Sequence, residues 1–209
     1  YAWEKFILSG DMGYQNNHRE EWSAFHTHYG SQPLPETNPD KELGFNLNTF
    51  SFSAKGRLIG SSSWEHRMGW DSQFQRNTIS GYSFLLPEYE RFTTGVSWLT
   101  TYRPHNVLAV SGGIRYDYGR MRVFAHDDPY LATYLQEQGY SDEQVESYRW
   151  NSRRVNRNFG DYSLSLGVVW TPSVRHQLKV NVGRSFRLPG ANELASNGVI
   201  SPGRKDWRT

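Results

Sequence analysis

Seven stretches of the chain alternate apolar and polar residues, and long polar connections and short turns separate them in turn. The most regular stretch is Leu108–Tyr118, in which apolar side chains occupy nearly every second position. Because adjacent side chains of a strand lie on opposite faces, this segment has one apolar and one polar side. The pattern predicts a β-strand, and both a soluble sandwich and a membrane barrel contain such strands.

Six further strands are predicted from the same two-residue period. They lie near Phe6–Asn16, Leu43–Ala54, Trp64–Gln75, Phe92–Tyr102, Asp161–Trp170 and Leu178–Arg187. Within Leu43–Ala54 the first two apolar side chains have the opposite parity to the last two. These side chains are Phe45 and Leu47, followed by Phe50 and Phe52. A β-bulge explains this change of face, and a slipped register explains it equally well.

The connections between these strands alternate between long and short. Long connections are expected at Trp22–Glu42, Arg76–Glu88, Ala125–Arg157 and after the last strand. Short turns are expected at Lys55–Arg57, Arg103–Asn106 and Thr171–Ser173. Alternate connections of an antiparallel meander lie at the same rim, so the long loops share one side. Long loops at one rim and tight turns at the other are typical of transmembrane β-barrels.

The longest connection also carries a helix signal. Ser141 followed by Gln144 has the spacing of a capping box, in which each residue satisfies a backbone N–H of the other. The spacing predicts a short helix that continues through Val145 and Tyr148. Short helices are therefore expected within one outer loop of an otherwise all-β chain.

Aromatic residues favour the barrel over the soluble sandwich. Several lie towards strand ends on the apolar faces, where a membrane protein has its interfacial girdles. They are Tyr14, Tyr102, Tyr116, Tyr118 and Trp170. Tyrosine and tryptophan are also common in soluble sheets, which leaves that alternative open. The predicted fold is an antiparallel transmembrane β-barrel meander.

The composition agrees with a barrel and excludes some other classes. Hydrophobic residues make up 36% of the 209 residues, and the mean hydropathy is −0.75. No apolar run is long enough for a transmembrane helix, whereas a barrel needs an apolar residue only at alternate positions. The net charge of +2 gives no indication of nucleic-acid binding. The absence of cysteine excludes a disulfide scaffold and a cysteine-based zinc site.

Two histidines and several aromatic residues of the long loops are candidate ligand-binding residues. His26 and His28 have the spacing that lets two imidazoles of a strand share one face and chelate a metal ion. No third ligand is identifiable, so two histidines in a solvated loop are the alternative, and no metal site is predicted. Aromatic rings on outer loops stack on flat ligands, or on each other. The candidates are Trp22, Phe25, Tyr29, Tyr82 and Phe84.

Charged residues of both signs alternate with the apolar positions and are expected to face the barrel lumen. They are Asp11, Glu65, Arg67, Asp71, Arg115, Asp117, Asp161, Lys179 and Arg187. Hydrogen-bonded ion pairs among them are expected to hold the wall and a domain inside it. No nucleophile elbow, phosphate loop or H-E-x-x-H motif is present, so neither an enzyme nor a cofactor is expected.

The last strand leads into SFRLPGANELASNG, residues 185–198. This segment resembles the form S-F-R-x-P-x-x-N-E-L that is found in the barrels of TonB-dependent outer-membrane receptors. Ser111–Asp117 is also similar to barrel strands of this family, and Gln15–Trp22 is similar to sequences of its Bacteroidetes members. The resemblance covers essentially the whole chain. Its distinctive part is Phe186–Leu194, and Val199–Thr209 carries little of it.

The resemblance implies a fold and a set of partners. Such receptors have a 22-stranded barrel that an N-terminal plug domain fills, and the inner-membrane TonB complex energises import through a short N-terminal box. Residues 1–209 are then expected to be an internal part of the barrel domain, without the plug and the remaining strands. Arg187, Asn192 and Glu193 are expected to contact the plug. Outer-membrane lipid, the plug, the rest of the barrel, the TonB complex and an unidentified nutrient are the expected partners.

The expected function is therefore the wall and outer loops of a bacterial outer-membrane receptor. It would import a scarce nutrient, with iron–siderophore and haem complexes as the leading candidates. Two alternatives stay open. One is a non-transporting barrel or surface scaffold that binds a partner protein, and the other is a soluble β-rich binding module.

Overall fold

The computed structural model describes residues 2–3, 6–30, 32–59 and 63–195. The strands are β1 (Ala2–Trp3), β2 (Phe6–Trp22), β3 (Lys41–Ile59), β4 (Trp64–Ser80), β5 (Tyr89–His105), β6 (Leu108–Val123), β7 (His126–Asp127), β8 (Trp150–Ser152), β9 (Val155–Ser173) and β10 (His176–Arg184). The helices are α1 (Pro129–Glu137), α2 (Asp142–Tyr148) and α3 (Ala191–Ala195). One antiparallel sheet has the order β1-β2-β3-β4-β5-β6-β9-β10, and β7 pairs with β8. The predicted all-β meander of seven principal strands is confirmed.

One register rule holds in this sheet from β2 to β10, apart from shifts at strand ends: residues opposite each other on neighbouring strands have the same parity. Tyr14 lies opposite Phe50, Phe50 opposite Phe74, and Phe74 opposite Phe92. The register shifts of the described ladders lie at strand ends. Because side chains alternate along a strand, the even-numbered side chains of β2 to β6, β9 and β10 share one face. We call it the even face and the opposite one the odd face.

The even face carries an apolar band with a sharp edge towards the long loops. On five strands an aromatic residue ends the band, and the next even-numbered residue towards the loops is polar or charged. These pairs are Tyr14 and Asn16, Phe50 and Asn48, Phe74 and Arg76, Phe92 and Glu90, and Tyr118 and Arg120. From this edge to the short turns the band is about ten residues tall, the length of a transmembrane β-strand.

Beyond the edge of the band the polarity of the two faces is exchanged. There the apolar side chains lie on the odd face and form a buried group that we call the inner cluster. It consists of Tyr89, Met121, Val123 and Ala191, with Leu47, Leu86, Val155, Phe159 and Leu194 packed against them. Met121 is 1% exposed, whereas Met12 in the apolar band is 86% exposed. The protein core thus lies outside the band, on the opposite side of the sheet.

This exchange also explains the change of parity in β3. Phe50 and Phe52 belong to the even-face band, whereas Phe45 and Leu47 lie on the odd face beyond its edge. The ladders of β3 with β2 and β4 run through this region without a register shift. Both the predicted bulge and the predicted slipped register are therefore wrong. The backbone is regular, and the environment of each face changes along it.

The short turns lie further along the chain than predicted. Lys55–Arg57 belongs to β3, because Arg57 still pairs with Ile7 of β2. The Phe6 ring of β2 packs over Gly56: a Cβ added to this glycine would lie 3.4 Å from the ring. The connection therefore follows Ile59. The other two short turns are residues 106–107 and 174–175, so Pro104 and Pro172 lie in the final residues of their strands. Proline is tolerated near strand ends, where the ladder of N–H donors is interrupted.

The long connection after β6 contains the predicted helix. Ser141 and Gln144 form the capping box of α2, which confirms that prediction. Asp128 caps α1 by accepting hydrogen bonds from the backbone N–H groups of Tyr130 and Leu131. Both helices are short, and among the described residues no helix combines the length and apolar character that crossing a membrane requires.

The last strand ends earlier than predicted. β10 stops at Arg184, so the placement of Phe186 and Arg187 in the strand is wrong. The chain instead turns back over the odd face, where Leu188 covers Gly119: a Cβ there would lie 2.9 Å from Leu188 Cδ2. Ala191 then enters the inner cluster. Residues 196–209, which include the end of the SFRLPGANELASNG motif, lie outside the described residues.

Candidate ligand-binding site

Three long loops meet at the rim of the sheet that carries the inner cluster. Residues 81–88 are joined to the start of β3 by hydrogen bonds from Tyr82 N to Lys41 O, at 3.2 Å, and from Ser83 N to Glu42 O, at 2.9 Å. Gly81 makes this close approach possible. Its φ is +101°, and a Cβ there would overlap the carbonyl of Glu42. The loop is therefore held against the sheet by its backbone.

Tyr82 is the centre of the contacts between the first two loops. Its hydroxyl lies 3.0 Å from Ser23 Oγ and 3.2 Å from His26 Nδ1. Ser23 in turn donates to Glu42 Oε2 at 2.8 Å. The Tyr82 ring packs edge-on against Phe25, with the ring centroids 5.0 Å apart. A single tyrosine thus ties the loop that follows β2 to the loop that follows β4.

The two histidines lie together in this arrangement. The ring centroids of His26 and His28 are 5.0 Å apart, and His28 Nε2 lies 2.9 Å from Ser83 Oγ. Both side chains are exposed. Among the described residues, no group of three or more histidine, aspartate or glutamate side chains is arranged to hold a metal ion. The pair can therefore supply hydrogen bonds or two ligands to a metal that a bound molecule carries.

The third loop adds helix α1 and β7 to the same rim. Tyr134 of α1 packs on Tyr29 with the ring centroids 5.7 Å apart, and His126 stacks on Phe84 at 4.6 Å. Burial raises the pKa of the Tyr29 phenol above its ordinary value, and the charge of Asp128 raises that pKa further. Tyr29 is therefore neutral at physiological pH and acts as a ring and a hydrogen-bonding hydroxyl.

These contacts define a loop cluster that consists of Phe25, His26, His28, Tyr29, Tyr82 and Tyr134. Beside it lies a groove of about 470 Å³ to which all three loops contribute. Its lining includes Gln32, Pro35, Tyr82, Phe84, His126 and Tyr130. The size and mixed lining are those of a small-molecule site.

The structure assembles most, but not all, of the predicted ligand-binding residues. Phe25, Tyr29, Tyr82 and the two histidines belong to the loop cluster, and Phe84 lines the groove. Trp22 lies elsewhere: it ends β2, and its indole N–H donates to Glu20 Oε2 at 3.2 Å. Tyr134 and His126 were not singled out from the sequence, because only the folding of the longest loop brings them to the cluster.

The predicted lumen charges other than Arg187 lie on the odd face of the strands, at the level of the apolar band. Arg115 makes a bidentate contact with Asp71, at 2.8 and 2.9 Å, and also binds Asp117. Gly95 lies on β5, between the strand that carries Asp71 and the strand that carries Arg115 and Asp117. It makes room for these three side chains, because a Cβ on Gly95 would overlap Arg115 and Asp117. Asp71 and Asp117 thus neutralise Arg115 across three strands.

A second group of charges lies on the odd face near the short turns. Glu65 is buried and accepts hydrogen bonds from Arg57 Nε at 2.9 Å and Arg67 Nε at 2.7 Å. Arg103 lies 3.5 Å from its other carboxylate oxygen. Arg57 joins this group because β3 is longer than the sequence predicted.

The motif segment after β10 carries its own ion pair. Arg187 lies 2.5 Å from Glu193, which also accepts a hydrogen bond from Gly190 N at 2.8 Å. The nearby guanidinium holds the pKa of the Glu193 carboxyl below its ordinary value. Asn192 lies in the same turn, with its Oδ1 close to Gly190. The three residues expected to contact a plug are therefore together on the odd-face side of the wall.

Comparisons with known proteins place the chain in a family. A family model described as "TonB dependent receptor-like, beta-barrel" matches residues 2–206. Neither the curated proteins nor the solved structures contain a match. Nearly the entire chain is therefore covered by a single barrel family.

Proposed function

The chain belongs to the TonB-dependent receptor β-barrel family, and we propose that it forms part of the wall and the ligand-binding outer loops of an active importer. The family's members are outer-membrane receptors and transporters rather than enzymes. Within that setting the apolar band of the even face is the lipid-contacting surface, and the odd face lines the lumen. Family membership favours this assignment over a soluble β-rich module.

The observation that carries the proposal is the convergence of three loops on one loop cluster. The hydroxyl of Tyr82 and the imidazoles of His26 and His28 lie beside aromatic rings on a rim that tight hydrogen bonds hold in place. Rings stack on planar ligands, and imidazoles bind iron. An iron–siderophore or haem complex combines both features, so we assign this chemical class to the groove.

The odd face supports the expected internal partner. In the proposed assembly, the charge groups around Arg115 and Glu65 and the motif residues Arg187 and Glu193, which lie on the odd-face side, contact the plug domain. In the proposed assembly further strands complete the barrel, the plug fills it, and the TonB complex acts through the plug. The similarity of Gln15–Trp22 to Bacteroidetes sequences makes a receptor of that group our preferred source.

The test is uptake by cells that produce the intact receptor. Tyr82→Ala should weaken binding of ferric siderophore or haem by ~10-fold or more, because it removes the centre of the loop cluster. Trp22→Ala is the matched control, since this aromatic residue lies outside the loop cluster. His26→Ala/His28→Ala should weaken binding of the same ligands. Uptake that does not require the TonB complex, or that is insensitive to Tyr82→Ala, contradicts the proposal.

A further inference from the structure

The lipid-facing side of the sheet carries a group of arginines directly beyond the apolar band. On the even face of β4, β5, β6 and β9 in this region, the described charged side chains are Arg76, Glu90, Arg120 and Arg122. We call them the arginine patch. Three positive charges and one negative charge leave it with an excess of two positive charges.

The ladders bring these side chains together. Arg76 lies opposite Glu90, and Glu90 lies opposite Arg122 on the next strand, so the three residues cross the sheet side by side. Neighbouring strands are about 4.8 Å apart, which places the outer two backbones within about 10 Å of each other. Arg120 lies on the same face two residues before Arg122. The four side chains therefore form one compact surface.

The internal contacts of the arginine patch do not neutralise it. Arg122 Nη1 lies 3.3 Å from Glu90 Oε2, and Arg120 Nε donates to the neutral Asn156 Oδ1 at 3.3 Å. Arg76 and Arg120 are both exposed. Glu90 thus pairs with Arg122, and no ion pair of Arg76 or Arg120 is present among the described residues. An anion that approached from outside would meet two uncompensated positive charges.

The height of the arginine patch identifies the occupant. Phe74, Phe92 and Tyr118 are the last apolar residues of the band, and the arginines occupy the next positions towards the long loops. In a membrane this level is the headgroup layer of the outer leaflet, because the long loops of such barrels are extracellular. None of these four side chains is among the described residues that line the groove, so a nutrient in the groove does not contact them.

We propose that the arginine patch binds the phosphate of a phosphorylated lipid headgroup in the outer leaflet. Guanidinium groups bind phosphate oxygens through paired N–H donors, and arginine does so better than lysine. The lipid's acyl chains would lie along the apolar band beneath Phe74 and Phe92. This site is separate from nutrient binding and depends on the barrel setting of the chain alone.

The test is lipid binding to the intact purified receptor in a neutral detergent, measured by native mass spectrometry with phosphatidic acid as the probe. Each guanidinium near an anionic headgroup contributes about fivefold in affinity, so Arg76→Gln/Arg120→Gln/Arg122→Gln should weaken binding by roughly 100-fold. Glu90→Gln should tighten binding about fivefold for the same reason. Phosphatidylcholine with the same acyl chains should show much smaller changes, because its choline group neutralises the charge of its phosphate.

Arg157→Gln is the matched control. Arg157 lies opposite Met121 on the odd face. Along the strand direction it is at the level between Arg120 and Arg122. Its removal should leave phosphatidic acid binding unchanged. Equal losses in this control and in the triple variant, or a triple variant within twofold of the original protein, would overturn the proposal. Full displacement of the lipid by inorganic phosphate would overturn the lipid assignment and indicate a free-anion site.

The Glu90→Gln variant keeps the proposal testable if the triple variant fails to assemble in the membrane. It removes a negative charge without loss of any arginine, so tighter lipid binding supports the arginine patch as the site. Unchanged or weaker binding contradicts it. A lysine variant at all three arginines should retain more affinity than the glutamine variant, because it keeps the charge.

Discussion

Along the same strands, the apolar side chains lie on the even face within the apolar band and on the odd face in the region beyond it. Within the band, even-numbered side chains such as Met12 are exposed on the even face, and the odd face carries charge groups. Beyond the band, odd-numbered Met121 and Val123 are buried, and the even face carries arginines. The backbone ladder is continuous between the two regions. The surroundings of the sheet, rather than its geometry, therefore decide which face is apolar.

The two regions also differ in what stabilises them. The outer region has a packed core, in which residues of β5 and β6 and the motif segment exclude water. The band has exposed apolar side chains and is held by ladder hydrogen bonds and by ion pairs on the odd face, and in the proposed assembly lipid surrounds it. Mutations of the same type should consequently have different effects in the two regions.

The largest difference is expected for truncation of methionine. Met121→Ala leaves a cavity in the inner cluster and should cost about 2–5 kcal/mol of folding free energy. Met12→Ala removes a side chain that contacts lipid, and the lipid fills the space, so the cost should be well below that range. Urea unfolding of the intact receptor in lipid vesicles measures both. Equal costs would mean that the inner cluster is not a core.

A charge on the lipid-facing side tests the band itself. Val96→Arg places a guanidinium on the even face of β5 and should cost about 2–4 kcal/mol near the bilayer midplane. The control Ser53→Arg places the same group on the odd face, between its ladder partners Asp11 and Asp71. That variant should fold with little loss. The same unfolding measurement should separate the two, and a tolerated Val96→Arg would contradict the assignment of the band.

A smaller effect is expected where the odd face of the band depends on ion pairs. Gly95→Ala introduces a methyl group that overlaps Arg115 and Asp117, and it should cost ~1–3 kcal/mol through displacement of this network. Gly112→Ala is the matched control, because its nearest neighbour, Ser165 O, is 3.9 Å from the new Cβ. A lower thermal unfolding temperature for Gly95→Ala than for Gly112→Ala would show that the ion pairs of Arg115 need the space beside Gly95.

The smallest effect concerns the attachment of the motif segment. Arg187 lowers the pKa of Glu193, so this ion pair stabilises the folded segment above the ordinary glutamate pKa and the stabilisation is lost as the pH falls through the lowered value. The protection of the backbone N–H groups around Gly190, measured as the exchange rate relative to the intrinsic rate at the same pH, should therefore fall at acidic pH. In Glu193→Gln this protection should be low already at neutral pH, without that additional pH dependence. An unchanged pH profile in this variant would contradict the role of the ion pair.

The sequence alone predicts a strand and its apolar face correctly where the surroundings of the strand stay the same along its whole length. Leu108–Tyr118 lies wholly within the band, so its alternation identified a strand and its apolar face correctly. In β3 the apolar parity changes between Leu47 and Phe50 because the strand crosses the edge of the band. A change of parity has the same appearance in sequence as a bulge. Only the ladders with the two neighbouring strands distinguish the two explanations.

Local signals predicted the ends of elements unevenly. The capping box of Ser141 and Gln144 is a contact within one turn, so the sequence contains all of its determinants. The turn assigned to Lys55–Arg57 was wrong because long-range pairing with β2 extends the strand through Gly56. The turns predicted around Pro104 and Pro172 were placed too early as well, because the strands continue past these prolines to His105 and Ser173. Pro104 and Pro172 indicate the vicinity of a turn without occupying its central positions.

The candidate site was predicted in its first two loops and not in the third. Residues near Tyr82 and His26 could be named because aromatic and histidine side chains are unusual in polar loops. Tyr134 and His126 lie in a connection of 31 residues, 124–154, whose path over the rim depends on α1, α2 and the β7–β8 pair. No local pattern encodes that path. Trp22, which is also a sequence candidate for ligand binding, lies outside the loop cluster because it ends β2 instead of entering the loop.

The most direct test of the exchanged faces is a spin-label scan along β6 in the intact receptor, reconstituted in lipid vesicles. Single labels from Leu108 to Val123 would be measured for collisions with oxygen, which is concentrated in lipid, and with a water-soluble relaxant. We expect lipid exposure at even positions up to Tyr118, water exposure at Arg120 and Arg122, and protection from both reagents at Met121 and Val123. Lipid exposure that continued on the even face through Arg122, or that appeared on the odd face, would contradict the exchange of faces.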